Sequence, residues 1–137
     1  MPHRLRPLDP TSDDEIALVA TRMRATLVEV VHPVEGQTMY TMDWLQQRVR
    51  WHLDRDACDG EVFLAEGDDG AIVGHTIVRV EAAEGGRRFG LFSTFYVSPD
   101  ARHQGLGGAL LAQGEAWMRE RGLAEAATFT AETNAPL

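Results

Sequence analysis

The stretch Val97 to Leu111, VSPDARHQGLGGALL, constrains the fold more than any other part of the chain. An apolar run from Phe89 to Val97 leads into it and reads as a strand. Proline and glycine then punctuate the chain, and helical periodicity follows. Leu91, Ser93, Phe95 and Val97 are expected on one face of that strand, with Phe92, Thr94 and Tyr96 on the other. Both faces are largely apolar, as in a central strand covered on both sides. The helix should bury Leu110, Leu111, Gly114, Trp117 and Met118, with Gly122 as its C-terminal cap. A further strand at Ala127 to Ala131, ATFTA, runs parallel to the first if the helix is a crossover.

Upstream, His3 to Leu8 suits a short edge strand. Ser12-Asp13-Asp14-Glu15 reads as a capping box, with Ser12 accepting from the Glu15 N–H and the Glu15 side chain reaching back. Ile16, Val19, Ala20, Met23, Leu27 and Val31 recur at helical steps until His32-Pro33 and Glu35-Gly36 interrupt them. A second helix starts near Thr41 or Met42, with Leu45, Val49, His52 and Leu53 on one side. Glu61 to Ala65 and Ala71 to Val80 form a hairpin about Gly67-Asp68-Asp69-Gly70, and Gly74 marks a bulge or a close approach. The order β-α-α-β-β-β-α-β predicts one α/β domain over residues 1–137. Its sheet is mixed and mostly antiparallel, with one central βαβ parallel pair and helices on both faces.

The glycine turn fits a phosphate cradle, and its spacing selects which one. A P-loop needs a lysine after its glycines, and none follows here. A dinucleotide fingerprint starting at Gly105 needs a third glycine where Leu110 stands. Arg102-His103-Gln104-Gly105-Leu106-Gly107 fits a third pattern, Arg/Gln-x-x-Gly-x-Gly/Ala between strand and helix. Backbone N–H groups at a helix N-terminus converge on an anion and carry partial positive charge. Gly105 and Gly107 let the main chain approach closely, and Arg102 adds a charge-assisted contact. A pyrophosphate suits this loop.

With these residues the chain resembles the GNAT family of N-acetyltransferases. The family's Val-x-Pro-x-x-Arg-x-x-Gly-x-Gly-x-x-Leu segment is matched by Val97, Pro99, Arg102, Gly105, Gly107 and Leu110, and Asn134 matches its asparagine near the pantetheine arm. The resemblance implies acetyl-CoA in a gap where the two parallel strands splay. Phe95, Tyr96 and Val97 would offer backbone groups to the acetyl carbonyl and pantetheine. The amides of His103, Gln104, Gly105, Leu106, Gly107 and Gly108 would hold the pyrophosphate, and Asn134 the cofactor arm. An amine of a small molecule or peptide would attack the thioester directly, with a strand N–H stabilising the oxyanion.

Many relatives use a glutamate base, but the Phe89–Val97 strand carries no carboxylate. Glu132, at the mouth of the last strand, and Glu81, past the preceding one, are the candidates. Solvated carboxylates are the plainer reading of both. His75 reads as a core histidine or a base. Acceptor recognition is expected between the first two helices, where Glu35, Tyr40 and Trp44 are the candidate contacts, although Trp44 also suits plain helix packing. The family's general-acid tyrosine and last helix and strand pair have no counterpart before Leu137, so the domain is expected to be C-terminally incomplete, leaving a sheet edge open. A shortened chain is the favoured explanation, and a homodimer that covers the edge is the other. A non-catalytic acyl-CoA-binding or regulatory module of the same fold is the rival reading.

Charge and cysteine use exclude other classes. The net charge of −8 argues against a nucleic-acid partner. No apolar run is long enough for a membrane span. A lone Cys58 fits a reducing, cytoplasmic setting, and no histidine pairs with it at metal-ligand spacing.

Overall fold

In the computed structural model, residues 4–30, 41–128 and 135–136 are described; for 26–30, 135 and 136 the description is of the backbone. Six strands form one sheet in the order β1 to β6, so each strand lies beside its sequence neighbour. They are β1 (Arg4–Pro7), β2 (Gly60–Glu66), β3 (Ile72–Ala82), β4 (Arg88–Val97), β5 (Glu125–Thr128) and β6 (Ala135–Pro136). The helices are α1 (Asp13–Val30), α2 (Met42–Leu53) and α3 (Leu106–Glu120). β4 and β5 pair in parallel and every other neighbouring pair is antiparallel. This is the mixed sheet anticipated above, with β6 as an added short strand on β5. β5 begins two residues earlier than the expected ATFTA strand, and residues 129–131 of that stretch lie outside those described.

Alternation along β2 divides the core between two layers. Val62 and Leu64 join Ile77 under α1 and α2, packed by Ile16, Val19, Ala20, Met23, Leu45 and Val49. Phe63 and Ala65 face the other way, onto α3, with Trp117 and Met118 against Phe63 and Leu106 and Leu110 against Ala65. Leu111, assigned above to the buried face of this helix, is 41% exposed. It lies one step of about 100° from Leu110, which turns it out of the contact stripe.

The helix ends follow local chemistry. Ser12 Oγ accepts from the Glu15 N–H at 3.2 Å, which is half of the expected capping box. The Glu15 carboxylate does not close the box on Ser12. It accepts from the Asp9 N–H at 2.9 Å and pairs with Arg6 at 2.6 Å, joining α1 to the edge strand β1. Thr41 caps α2 by accepting from the Trp44 N–H at 3.1 Å. At the end of α3, Gly122 has φ of 74°, its N–H reaches Arg119 O at 3.0 Å, and the Leu123 N–H reaches Met118 O at 3.2 Å. This is a Schellman ending, with Leu123 and Met118 in one apolar cluster.

Two glycines allow elements to approach. A Cβ on Gly74 would stand 2.8 Å from the Tyr96 carbonyl oxygen, so Gly74 is a point of close approach. A Cβ on Gly114 of α3 would stand 2.3 Å from Cε1 of Phe92, a rigid ring buried in the core. Gly114→Val is therefore expected to destabilise the fold by about 2–3 kcal/mol through overpacking. Chemical denaturation measures this, and unchanged stability would contradict the packing of α3 on Phe92.

Candidate active site

The site is built where β4 runs into α3. Val97 ends the strand, and the Ser98 N–H still bonds Val73 O of β3 at 2.8 Å. A short 3-10 turn, Pro99–Ala101, follows with proline at its start. Ala101 and Leu106 are both buried with Leu110, so the loop between them is pinned at each end. Within it His103 has φ of 66° and Gly105 φ of 80°, both left-handed. The sequence gives no warning of that geometry at His103, a residue for which it is uncommon. Such backbone strain persists where the surroundings dictate it.

Gly105 is the N-cap of α3, and the helical ladder opens with the Ala109 N–H on Gly105 O at 3.1 Å. The N–H groups of Leu106, Gly107 and Gly108 belong to the first turn, which has no intrahelical acceptors for them. Nothing lies within 4 Å of a Cβ built on Gly105, Gly107 or Gly108, so open space borders all three. An anion therefore has both room and donors. Arg102 donates from Nε to the Val97 carbonyl at 2.9 Å, and Gln104 donates to Asp100 O at 3.4 Å. Arg102 thus braces the turn against the strand end.

β4 is interrupted by one inserted residue. Thr94 pairs with Ile77 and Phe92 with Val78, leaving Ser93 as a bulge. The insertion changes the phase of the strand. Phe92, Phe95 and Val97 all pack on the α3 side. Thr94 and Tyr96 turn to the other side, where Thr94 Oγ1 meets His75 Nε2 at 3.1 Å and the Tyr96 ring stacks on His75 at 5.9 Å. Ser93 is on that side too, 3.4 Å from Arg79. The strict alternation expected above is thus corrected: Phe95 and Val97 do not share a face with Ser93. A pattern of period two has no means of showing an inserted residue.

The main chain beyond the bulge has two edges. The Thr94 carbonyl faces β3, where it accepts from Thr76 Oγ1 at 2.9 Å. The Tyr96 carbonyl also faces β3, against Gly74, so the Tyr96 backbone serves the β3 ladder. Strand alternation turns the N–H and C=O of Phe95 and Val97 to the opposite edge. The parallel ladder to β5 covers Gly90, Leu91 and Phe92, paired with Ala126, Ala127 and Thr128.

Two buried histidines lie on the α1 and α2 side. His52 of α2 has Nδ1 2.9 Å from the Arg48 carbonyl and Nε2 2.9 Å from Arg79 Nη1. A carbonyl only accepts and a guanidinium only donates, so His52 is neutral with its proton on Nδ1. Burial pulls His52 down to about 4, despite the favourable Arg48 carbonyl. Burial and the charge of Arg22 pull His75 to about 3. His75 is fully buried with Nε2 on Thr94 Oγ1, the placement of a core histidine. The Arg79–His52 cluster was missed in the sequence, although His75, Thr76 and Arg79 stand out as polar residues in the apolar strand IVGHTIVRV.

Glu81 lies within β3 rather than past it, and its carboxylate pairs with the largely buried Arg79. It sits opposite Phe89 at the start of β4, at the far end of the strand from Val97 and the glycine turn. Trp44 is 42% exposed on the first turn of α2. Glu35, Tyr40, Glu132 and Asn134 lie outside the described residues. Among the described residues, no group of three His, Cys, Asp or Glu side chains is placed to hold a metal ion, and no helix is long and apolar enough to cross a membrane.

Comparison with known proteins shows the family. Residues 30–137 match the acetyltransferase (GNAT) family. The chain belongs to that family. Along 97% of its length the chain is 35% identical to a mycothiol acetyltransferase of Saccharomonospora viridis, and it spans 42% of that protein. Solved structures share the fold. A GCN5-related N-acetyltransferase from Ralstonia eutropha matches with TM-score 0.71 at 24% identity, over 96% of this chain and 85% of that one. A predicted acetyltransferase with acetyl-CoA from Clostridium acetobutylicum matches with TM-score 0.74 at 15% identity, over 96% and 82%. The PaiA N-acetyltransferase of Thermoplasma acidophilum, in complex with coenzyme A, matches with TM-score 0.69 at 16% identity, over 98% and 83%.

The buried histidines of this GNAT domain predict its acid stability. Both have folded values below the ordinary 6.5. The unfolded chain takes up protons as pH falls through 6.5 while the folded chain does not. The stabilisation is complete above about pH 6.5 and is lost on descent, towards about 4 for His52 and about 3 for His75. Unfolding free energy should fall by up to about 1.4 kcal/mol per pH unit per histidine between about pH 6.5 and 4.5, above the main carboxylate range. A flat profile across that window would contradict the burial of neutral imidazoles.

Proposed function

We propose that this domain transfers the acetyl group of acetyl-CoA to the amine of a small-molecule or peptide acceptor by direct attack. The observation that carries this reading is the left-handed glycine turn at the head of α3, open at Gly105, Gly107 and Gly108. The backbone N–H groups from His103 to Gly108 bind the pyrophosphate, and Arg102 holds their loop to Val97. The Phe95 and Val97 backbone edges receive the pantetheine and the acetyl carbonyl, and Asn134 contacts the cofactor arm. The Phe95 N–H stabilises the oxyanion as the amine nitrogen attacks. The C–N bond forms, the C–S bond breaks, the amine loses a proton and the thiolate gains one.

Glu132, four residues past β5 in the chain, is our candidate for the base. Glu81 is set aside because Arg79 holds its carboxylate at the other end of the strand. Trp44, with Glu35 and Tyr40 ahead of it in the chain, forms the acceptor side. The name of the Saccharomonospora viridis relative puts mycothiol chemistry first among acceptors to try. We place the protein in the cytoplasm, without a nucleic-acid partner given its charge of −8.

Two measurements test this. Gly105→Val forces a β-branched residue into a left-handed position and puts methyl groups into the cradle, so acetyl-CoA affinity should fall at least about ten-fold. Equal affinity in wild type and Gly105→Val would contradict the placement of the pyrophosphate. In thiol release from acetyl-CoA with a panel of amines, Glu132→Gln should lower kcat by about 10²–10⁴-fold. Binding without turnover by any amine would instead favour the non-catalytic acyl-CoA module, a reading supported by the lack of a carboxylate on β4.

A further inference from the structure

We infer that Thr76 is a positioning residue for acetyl transfer: by holding the Thr94 carbonyl it aims the Phe95 N–H at the acetyl oxygen. This rests on the acetyl-CoA reading above. The Thr94 carbonyl and the Phe95 N–H belong to one planar trans unit, in which C=O and N–H point in opposite directions. Thr76 Oγ1 donates to the Thr94 carbonyl at 2.9 Å from the β3 side. The Phe95 N–H is therefore directed to the other edge of β4, beyond the rungs that join Gly90, Leu91 and Phe92 to β5.

This peptide needs a separate hold because it follows the bulge. The inserted Ser93 disrupts the ladder between Ile77 and Val78, and a disrupted ladder fixes its peptide planes less firmly than a regular one. Side chains of β3 add a further restraint beside the shift. Thr76 is fully buried and takes the carbonyl. His75, also fully buried, takes the Thr94 hydroxyl at 3.1 Å. Arg79 reaches the Ser93 hydroxyl at 3.4 Å and is itself anchored on His52 at 2.9 Å. Three β3 residues thus grip the two bulge residues. Of the three, Thr76 is the one whose side chain touches the main chain of the peptide assigned to the acetyl group. Its hydrogen bond also polarises that peptide, which strengthens the N–H as a donor through the chain O–H···O=C–N–H···O=C.

The test reads the acetyl carbonyl directly. Acetyl-CoA labelled with carbon-13 at the carbonyl is bound to wild type and to T76S, T76C and T76V, and its stretching frequency is taken from isotope-edited infrared difference spectra. Wild type should lower the frequency relative to free acetyl-CoA. T76S should match wild type, T76C should lose part of the shift, and T76V most of it, with acetyl-CoA affinity unchanged throughout. In thiol release kcat should follow the same order, with a loss of about ten-fold in T76V and KM for acetyl-CoA unchanged. If T76V does not fold, the contrast between T76S and T76C decides. Equal frequencies in all folded variants, or a loss of affinity instead of frequency shift, would overturn the assignment. Normal binding to wild type with no frequency shift would overturn it and leave the cosubstrate in place. No binding to wild type would overturn the cosubstrate reading as well.

Discussion

One residue inserted into β4 organises the rest of the site. Without Ser93 as a bulge, the strand would keep its phase from Leu91 to Val97, and Phe95 would turn away from α3. With it, Phe92 and Phe95 both pack on the α3 side, their rings stacked at 5.1 Å. Thr94 and Tyr96 are sent to the side of α1 and α2, where the polar residues of β3 receive them. The same insertion turns the peptide edges of Phe95 and Val97 away from β3. Side-chain packing, polar contacts and backbone aim are three consequences of a single register shift.

The glycine turn depends on that strand for its place. Val97 supplies the carbonyl that Arg102 grips, Ser98 stays hydrogen-bonded to β3, and Ala101 and Leu106 sink into the core on either side of the loop. The loop backbone is therefore set by buried neighbours even though its own residues are largely exposed. Positive φ at His103 and Gly105 bends the main chain just ahead of the helix end, which carries partial positive charge. In the function proposed above, the pyrophosphate loop and the Phe95 peptide follow one another along the chain, which suits a ligand with a diphosphate at one end and a thioester at the other.

Much of this was legible in the sequence because it is carried by local signals. The strand-glycine-helix spacing, the alternation of β2, the helical recurrence of Leu110, Gly114, Trp117 and Met118, and the left-handed cap at Gly122 each have a short-range cause. What escaped the sequence depends on tertiary surroundings. No pattern marks Ser93 as inserted, since its neighbours suit either face. Glu15 abandons its own cap for Asp9 and Arg6 because β1 brings the guanidinium to it. Glu81 looked like a solvated turn carboxylate until β3 proved long enough to place it beside Arg79. The buried His52–Arg79 pair joins residues far apart in the chain, and only the sheet brings them together.

The most direct measurement is a crystal structure of this chain with acetyl-CoA. The account predicts a diphosphate within hydrogen-bonding distance of several N–H groups between His103 and Gly108, and a thioester oxygen on the Phe95 N–H. A diphosphate bound away from the head of α3, or a thioester oxygen facing the β3 side of β4, would contradict it.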